Sequence, residues 1–464
     1  MSNTITAELS RLVVKAPERT FEIAVPADVP LAELMPSLVH YAAPEGADLD
    51  ESGLEHGGWV VQRLGADALD EDATPAELGL RDGETLYLRP RREQLPPVHF
   101  DDLVDGVAVG MRERADLWRP ELTRRLLLGV AAVVLAAGFA ALASAHAPLL
   151  QTAAAAGTAV LLLLGAAAAS RAVGDSAAGT VLGVAVVPYL ALAGWLLPTG
   201  PEGPELIGAR LLAASAAAAG GAVLAVATVA AAAPLFCGLL LVSLLGALTG
   251  VLGLTAGLTL AAAAGPVAVL AVLLGAFVPM LSFRLAGLRL PPLPTNAEQL
   301  QEGIEPLSSR DVLDRTAIAD RYMTGLYAGT GAVCAASLTA LSTGGGWPPF
   351  ALGGVLSLLL VLHGRAMNGA WQRLSAVLPG VYGGVLLMLA GIWEGGTAAR
   401  CTVLAVSLVA GAALVGAAWS IPGRRLIPYW GRAADLLHSL AAAALIPLVL
   451  VDLGVLSALR GLWS

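Results

Sequence analysis

The chain has 464 residues, of which 56% are hydrophobic and 14% charged, and its mean hydropathy is +0.74. Because soluble domains carry about 25% charged residues, this composition excludes a large soluble enzyme and indicates a membrane protein. Residues 1–125 carry a net charge of −11, whereas residues 126–464 carry +2. An acidic segment does not supply the clustered Lys and Arg that phosphate contacts need, so nucleic-acid binding is excluded as well.

Residues 1–95 are predicted to form a small cytoplasmic α+β domain. Four segments have strand periodicity: 11–15, 20–25, 59–64 and 85–88. A helix with one apolar face follows Pro30, and Thr74 with Glu77 forms a capping box for a single later turn. This order of elements is that of a ubiquitin-like β-grasp. The domain offers no nucleophile beside a base, so we expect a built-in binding module.

Residues 96–125 form a linker with a predicted amphipathic helix. Its apolar side chains recur at helical spacing: Phe100, Leu103, Val104, Val107, Met111 and Trp118. One interpretation places this helix on the inner leaflet, guided by Arg119, Arg124 and Arg125. In the other, the helix packs on its own domain or on a partner.

Residues 126–464 are predicted to form an all-α membrane domain of eleven transmembrane helices, since a span needs about 20 mostly apolar residues. The sixth span is long and contains Pro266 and Pro279, so we expect it to kink or to begin late. The predicted spans are 126–143, 149–169, 177–197, 206–230, 234–252, 255–282, 322–341, 349–363, 374–393, 401–419 and 436–456.

The arginines predict the orientation of these spans. With the N-terminus inside, the inner segments carry 16 Arg and the outer segments 3, which are Arg210, Arg400 and Arg460. Cytoplasmic loops carry such an excess of basic residues, so this count supports an odd number of spans in a bacterial inner membrane. We therefore expect a cytoplasmic N-terminus and a C-terminus outside.

One substantial inner loop, 283–321, holds the candidate partner contacts. Its helical second half places Arg310 four residues before Asp314, and Asp311 four before Arg315, which are spacings for ion pairs. The loop is either a solvated charged face of little energetic value or a docking site for a cytoplasmic partner. The candidate contact residues are Arg284, Arg289, Arg310, Asp311, Arg315 and Arg321.

Groups that do chemistry are scarce in this sequence. Asp452 is the clearest charge within a span, near its outer end, whereas His363 and His438 lie near inner span ends and are interpreted as interfacial or packing residues. The three cysteines form no CxxC pair, and no GxxxxGK[ST] motif occurs. We therefore predict no catalytic residue, no cofactor and no metal site.

Two parts of the sequence resemble a known family. Residues 25–34 and 69–90 are similar to the ubiquitin-like domain of EccD, the polytopic membrane component of the actinobacterial type VII (ESX) secretion system. Residues 288–298 and 315–322 are similar to its central cytoplasmic loop. The resemblance covers essentially the full length, with the head, the loop and eleven spans in order.

This resemblance implies a non-enzymatic role in an inner-membrane core complex with EccB, EccC and EccE. In that family EccC is the ATPase that drives export of WXG100-class proteins, and the cytoplasmic domain of EccD braces the ATPase stalk. EccD copies pair as a homodimer, and their helices frame a space filled with membrane lipids.

Two other classes of protein remain as alternatives. A secondary transporter with a cytoplasmic regulatory domain would need polar groups at the membrane midplane and internal repeats. A polytopic membrane enzyme would need His, Asp or Glu clustered near one face. Neither pattern is clear in the sequence.

Overall fold

The computed structural model of the chain describes residues 9–17, 19–42, 58–91, 104, 111, 118–288, 309–394, 396–420 and 428–455. The chain divides into two compact units, residues 1–119 and residues 120–464. We call them the head and the helical unit. The predicted domain limit at residue 95 and most of the predicted amphipathic helix lie outside the described residues, and both stay predictions.

The described strands of the head form a four-stranded mixed sheet, against which the helix α1 packs. The strand order is β2-β1-β4-β3, in which β1 and β4 are parallel and the other pairs antiparallel. The elements are β1 (Leu9–Lys15), β2 (Thr20–Pro26), α1 (Leu31–Ala42), β3 (Trp59–Gln62) and β4 (Glu84–Pro90). This arrangement confirms the predicted ubiquitin-like fold.

Strand alternation creates the core of the head. Leu12, Val14, Leu86 and Leu88 point to the same side of β1 and β4 and are at most 2% exposed, and Leu38 of α1 packs among them. Burying each such side chain stabilises the fold by about 1.5–3 kcal/mol before entropy is counted. The helix and the sheet therefore depend on each other for stability.

A loop seals the open end of α1. The backbone N–H groups of Leu31 and Ala32 donate to the carbonyls of Ala73 and Glu71, which satisfies two of the donors that a helix start leaves free. The predicted capping box follows at once, because Thr74 and Glu77 exchange backbone-to-side-chain hydrogen bonds of 2.9 and 3.2 Å. The bond from the Thr74 backbone lowers the pKa of the Glu77 carboxyl below its ordinary value.

The helical unit consists of twelve helices among the described residues, ten of them long and apolar enough to cross a membrane by themselves. They are α2 (Pro120–Ala143), α3 (Pro148–Ala167), α4 (Ser176–Leu196), α5 (Pro204–Val229), α6 (Ala233–Ala256), α7 (Leu260–Gly275), α8 (Val278–Leu285), α9 (Ser309–Ser342), α10 (Trp347–His363), α11 (Ala370–Glu394), α12 (Thr397–Ser420) and α13 (Pro428–Asp452). A π-helical turn, Ala168–Ala172, extends α3.

The sixth predicted span, which brings the total to eleven, consists of two helices with a break between them. Helices α7 and α8 pass the same test as a pair and meet at a bend of 57°. Pro279 lies in the first turn of α8, where proline is tolerated because that N–H has no helical partner. Pro266 lies inside α7. The sixth predicted span thus begins late, at Leu260, and it kinks at residues 276–277, just before Pro279.

The spans extend beyond the predicted limits at several ends. Helix α2 begins six residues before the predicted start at 126. Helix α9 begins at Ser309 and continues into the span predicted from 322, which confirms the predicted helical second half of the inner loop. At the other end of that loop, α8 runs to Leu285. Charged residues before 126 hid the start of α2 from a count of apolar residues.

Glycines bring α6 and α9 into backbone contact. A Cβ atom on Gly329 would lie 2.6 Å from the carbonyl oxygen of Gly238, and one on Gly325 would collide with the carbonyl oxygen of Pro234. Gly253 of α6 meets Gly208 of α5 in the same manner, with a Cβ-to-Cα distance of 3.0 Å. Such contacts replace the hydrophobic effect, which does not draw helices together in lipid.

We predict that Gly329→Leu separates α6 from α9 and destabilises the helical unit by about 3 kcal/mol, the upper end of overpacking costs. Thermal unfolding in detergent measures the change. Gly411→Leu on α12 is the matched control, since nothing lies within 4 Å of a Cβ built there. Equal loss of stability in the two variants would contradict close backbone packing as the cause.

An ion pair joins α2 to the start of α4. The Arg124 Nη2 atom lies 2.6 Å from Asp175 Oδ1, and the same carboxylate accepts the backbone N–H of Ala178 as an N-cap. The backbone hydrogen bond, followed by Arg124, lowers the pKa of Asp175 below its ordinary value. The carboxylate is therefore ionised throughout the neutral range.

Replacing Asp175 by Asn keeps an acceptor for Ala178 and removes the ion pair. Since the folded pKa is lowered, the stabilisation is present above about pH 4, the ordinary pKa, and disappears as the pH falls through the lower folded value. We expect the wild type to melt above Asp175→Asn at pH 7 and pH 5, with a gap that closes only at more acidic pH. In the Arg124→Gln background the gap should shrink but persist in part, because the charged carboxylate still caps α4 through the backbone N–H of Ala178. A gap that Arg124→Gln leaves unchanged, or one that widens on acidification, would refute the pairing.

Candidate partner-docking surface

The corner between α8 and α9 holds the predicted contact residues that can be placed. The Arg315 Nη1 atom donates to the carbonyl oxygen of Gly287 at 2.9 Å, and Gly287 turns the chain with a φ of +74°, which favours glycine. Arg284 lies in the last turn of α8 and is exposed. One hydrogen bond therefore ties the end of α8 to the first turns of α9.

The remaining candidates follow along α9. Asp311 and Arg321 are exposed, and no ion pair joins Asp311 to Arg315, although the structure describes both side chains. Arg310 lies in the helix, but its side chain is outside the described residues, as is Arg289 altogether. The predicted pairing at i and i+4 is thus wrong for Asp311, because the Arg315 guanidinium reaches back to Gly287.

A buried amide links α9 to α11 close to this corner. The Gln372 side chain is 6% exposed, and its Nε2 atom donates to Asp320 Oδ1 at 2.7 Å. A buried amide without a partner costs about 1–3 kcal/mol, so this pair fixes the relative position of the two helices. Arg321, next in sequence to Asp320, is thereby held on the exposed side of α9.

The two histidines near span ends are neighbours in the structure. The His363 and His438 rings stack with centroids 5.6 Å apart and an angle of 15°. A cavity of about 140 Å³ lies beside them, and it is also lined by Arg365 and Asp435, which form an ion pair of 3.5 Å. These contacts join α10 to α13 and agree with the packing role predicted for both histidines.

Arg171 closes the carboxyl end of α5. Its guanidinium donates to the carbonyls of Ala227 and Thr228 at 2.6 and 3.1 Å, and the Ser170 hydroxyl donates to Val229. Two residues just beyond α5, Ala230 and Ala232, have positive φ. A cation at this helix end also complements the helix dipole.

An apolar cavity of about 450 Å³ lies between α4, α5, α6, α7 and α9. Its lining contains hydroxyls but no charged side chain. Ser243 and Thr249 donate to carbonyls four residues earlier in their own helix, so they present little polarity to the cavity. This lining does not resemble a coordination site for an ion.

The described residues bring together no group of three or more His, Cys, Asp or Glu that fits a metal ion. Several charged residues of the helical unit link one helix to another. Because successive helices alternate in direction, the links through Arg124, Arg171, Arg315, Asp320 and Arg365 share one end of the bundle. That end of the bundle therefore carries charged contacts that tie helices to one another.

Sequence reasoning missed the contacts of Gln372, the carbonyl partners of Arg171 and the histidine stack. None has a local signal, since the partners are between 52 and 75 residues apart. A polar residue in the first or last turn of an apolar helix marks a position that can link two helices. It does not show which residue is the partner.

Two protein-family models match the chain. The model of the EccD-like transmembrane domain matches residues 123–462, and the model of the WXG100 secretion-system protein YukD matches residues 9–88. The two matched segments coincide with the helical unit and the head, and they occur in the order that the sequence predicted.

Curated relatives come from Mycobacterium tuberculosis. The ESX-4 secretion system protein eccD4 is 34% identical over 132 residues, which is 28% of this chain and 27% of the relative. The ESX-5 protein EccD5 is 29% identical over 212 residues, 39% of this chain and 41% of the relative. Each alignment thus spans well under half of the relative's length.

Solved structures share the fold over nearly the whole chain. Protomer 1 of the ESX-3 core complex has a TM-score of 0.60 at 19% identity and covers 97% of this chain and all of its own. A chain of the ESX-5 inner membrane complex without MycP5 has a TM-score of 0.57 at 20% identity, with coverage of 88% and 99%. Since the EccD-like model alone matches well over half of the residues, the chain belongs to the EccD family.

Proposed function

We propose that this protein is a non-enzymatic structural component of the core complex of a type VII (ESX) secretion system. In this proposal it sits in the bacterial inner membrane with EccB, EccC and EccE, scaffolds the EccC ATPase, and supports export of WXG100-class proteins. Two copies pair as a dimer among membrane lipids. The observation that carries the proposal is the family match of both units, in order, in one chain.

The geometry supports a rigid structural component rather than a secondary transporter. Helices meet through backbone contacts at Gly238, Gly325 and Gly329, and the cavity of about 450 Å³ between α4, α5, α6, α7 and α9 has no charged lining. A secondary transporter moves by rocking or by gating about a midplane site. Backbone contacts of this kind resist such motion, because a shift of either helix would force main-chain atoms together. The transporter alternative is therefore less well supported.

The head suits a role as a docking module for the ATPase. It has its own apolar core, and residues 1–125 carry a charge of −11. A compact domain that lacks a catalytic pair acts by binding. The exposed residues of the corner between α8 and α9, Arg284, Asp311, Arg315 and Arg321, supply a second candidate contact in this proposal.

The proposed orientation places the N-terminus in the cytoplasm and the C-terminus outside, from the 16-to-3 distribution of Arg. Reporter fusions at Ser464 and within 295–305 test it. We expect the fusion within the loop to report the cytoplasm and the fusion at the C-terminus to report the outside. If both report the same side, the odd number of spans is wrong.

Deleting residues 1–95 tests the docking role. We expect the spans to remain inserted, because membrane helices satisfy their own backbone hydrogen bonds. Secretion of WXG100-class proteins and co-purification of the ATPase should both be lost. With the full chain, that co-purification should weaken between 0.1 M and 0.5 M salt, because charged contacts are screened over about 10 Å already at 0.1 M.

A chimaera with an unrelated ubiquitin-like domain in place of residues 1–95 is the matched control. It keeps the length and the fold but not the surface, so we expect it to fail as the deletion does. Normal secretion from the deletion variant, at wild-type levels of membrane-inserted protein, would contradict the docking role of the head.

A further inference from the structure

We propose that the outer face of the head's sheet binds an acidic peptide segment of a protein partner. The surface, here called the cationic sheet face, consists of Arg11, Lys15, Tyr87 and Arg89. The inference rests on the proposed role of the head as a binding module, but it does not depend on which protein supplies the segment.

Strand register brings the four side chains to one face. β1 and β4 are parallel, and Lys15 pairs with Tyr87 across them. Arg11 lies four residues before Lys15 and Arg89 two residues after Tyr87, so alternation directs all four to the same side of the sheet. The residues between them on β1 and β4, such as Leu12 and Leu88, point into the core.

The face carries unpaired positive charge. The Lys15 Nζ atom lies over the Tyr87 ring, 5.7 Å from its centroid. The Arg89 Nε atom is buried and has no hydrogen-bond acceptor among the described residues. Arg63 and Arg91 differ in this respect, because they pair with Glu84 and Glu71. Since Nε itself is sealed from solvent, a ligand would meet the rest of the half-buried Arg89 guanidinium, and a carboxylate there would neutralise a charge that no described carboxylate pairs with.

Acidic residues lie mostly elsewhere on the head. Among the described strand residues, Glu22 on β2 is the acid on this side, opposite Val13. Asp82, at the edge, accepts the backbone N–H of Arg11. The exposed carboxylates of Asp70 and Asp72 belong instead to the loop that seals the start of α1. Among the described strand residues, this face therefore carries three basic side chains and one acid, which favours an anionic ligand.

A peptide fits this surface better than a membrane or a nucleic acid does. Polyanions of large extent would be repelled by the charge of −11 on residues 1–125. A short segment meets only the local surface, where one carboxylate can reach Arg89 and an apolar side chain can contact Tyr87 and Val13, which are half-exposed. The chemistry therefore favours a peptide with Asp or Glu beside an apolar or aromatic residue.

The test uses the full chain in nanodiscs of uncharged lipid. The probe is a fluorescein-labelled peptide with four glutamates and one tyrosine, followed by fluorescence anisotropy at 0.1 M salt. We expect saturable binding, and we expect a matched peptide with glutamines in place of the glutamates not to bind. Loss of the guanidinium in Arg89→Gln should weaken binding about tenfold or more.

A second variant protects the test against misfolding of the first. Arg11→Gln with Lys15→Gln leaves Arg89 in place and should also weaken binding, whereas Arg81→Gln, in the turn before β4, should not. Hydrogen exchange of β1 and β4 verifies that each variant retains the fold. Binding that is equally weak in all three variants, or no binding by the wild-type chain, would overturn the proposal.

A vesicle assay tests whether an anionic membrane, instead of a peptide, is the ligand. If vesicles with 30% phosphatidylserine bind the chain in an Arg89-dependent manner and the acidic peptide does not, the face binds membranes and the proposal is wrong. None of these measurements involves the ATPase. A failure here therefore leaves the proposed secretion role standing, and loss of that role leaves peptide binding testable.

Discussion

The bilayer offers no water to a backbone amide, and most of this structure follows from that constraint. Every span must satisfy its own N–H and C=O groups, which only helices do within one segment. The same solvent removes the hydrophobic attraction between helices, so packing depends on how closely two backbones can approach. Gly238, Gly325 and Gly329 allow the closest approach between α6 and α9. They allow it because glycine has no side chain to separate the two backbones.

The constraint also determines where charge is found. The ion pair of Arg124 with Asp175 lies at helix ends, and Gln372, near the start of α11, donates to Asp320 in the first half of α9. Within the spans, hydroxyls such as those of Ser243 and Thr249 bond to their own helix. Asp452 differs, since its Oδ2 atom is buried near Gly265 and has no partner among the described residues. Charge at the ends braces the bundle without placing ions in lipid.

The sequence predicts the elements well because their signals are local. Alternation in β1 and β2, the Thr74–Glu77 capping box and runs of about 20 apolar residues each arise from neighbouring residues, and the structure confirms them. Helix ends are predicted less accurately where only hydropathy marks them, since α2 begins in a charged segment that a membrane criterion rejects. The predicted helical second half of the loop 283–321, in contrast, is the first part of α9. Partners distant in sequence are beyond such reasoning. Arg315 has Asp311 at the right spacing, yet it donates to the carbonyl of Gly287, 28 residues earlier in the chain.

The helical unit and the head meet two different physical requirements, which are rigid packing in lipid and selective contact with other proteins. A frame in lipid gains rigidity by excluding charged groups and by close backbone contact, and these same features leave it little means of distinguishing one protein partner from another. A small domain outside the spans is free of that limitation. Its sheet buries Leu12 and Leu88 on one face and can therefore display Lys15, Tyr87 and Arg89 on the other. Selectivity toward partners is thus expected in the head and in the exposed corner after α8, while the spans supply the fixed positions from which those surfaces act.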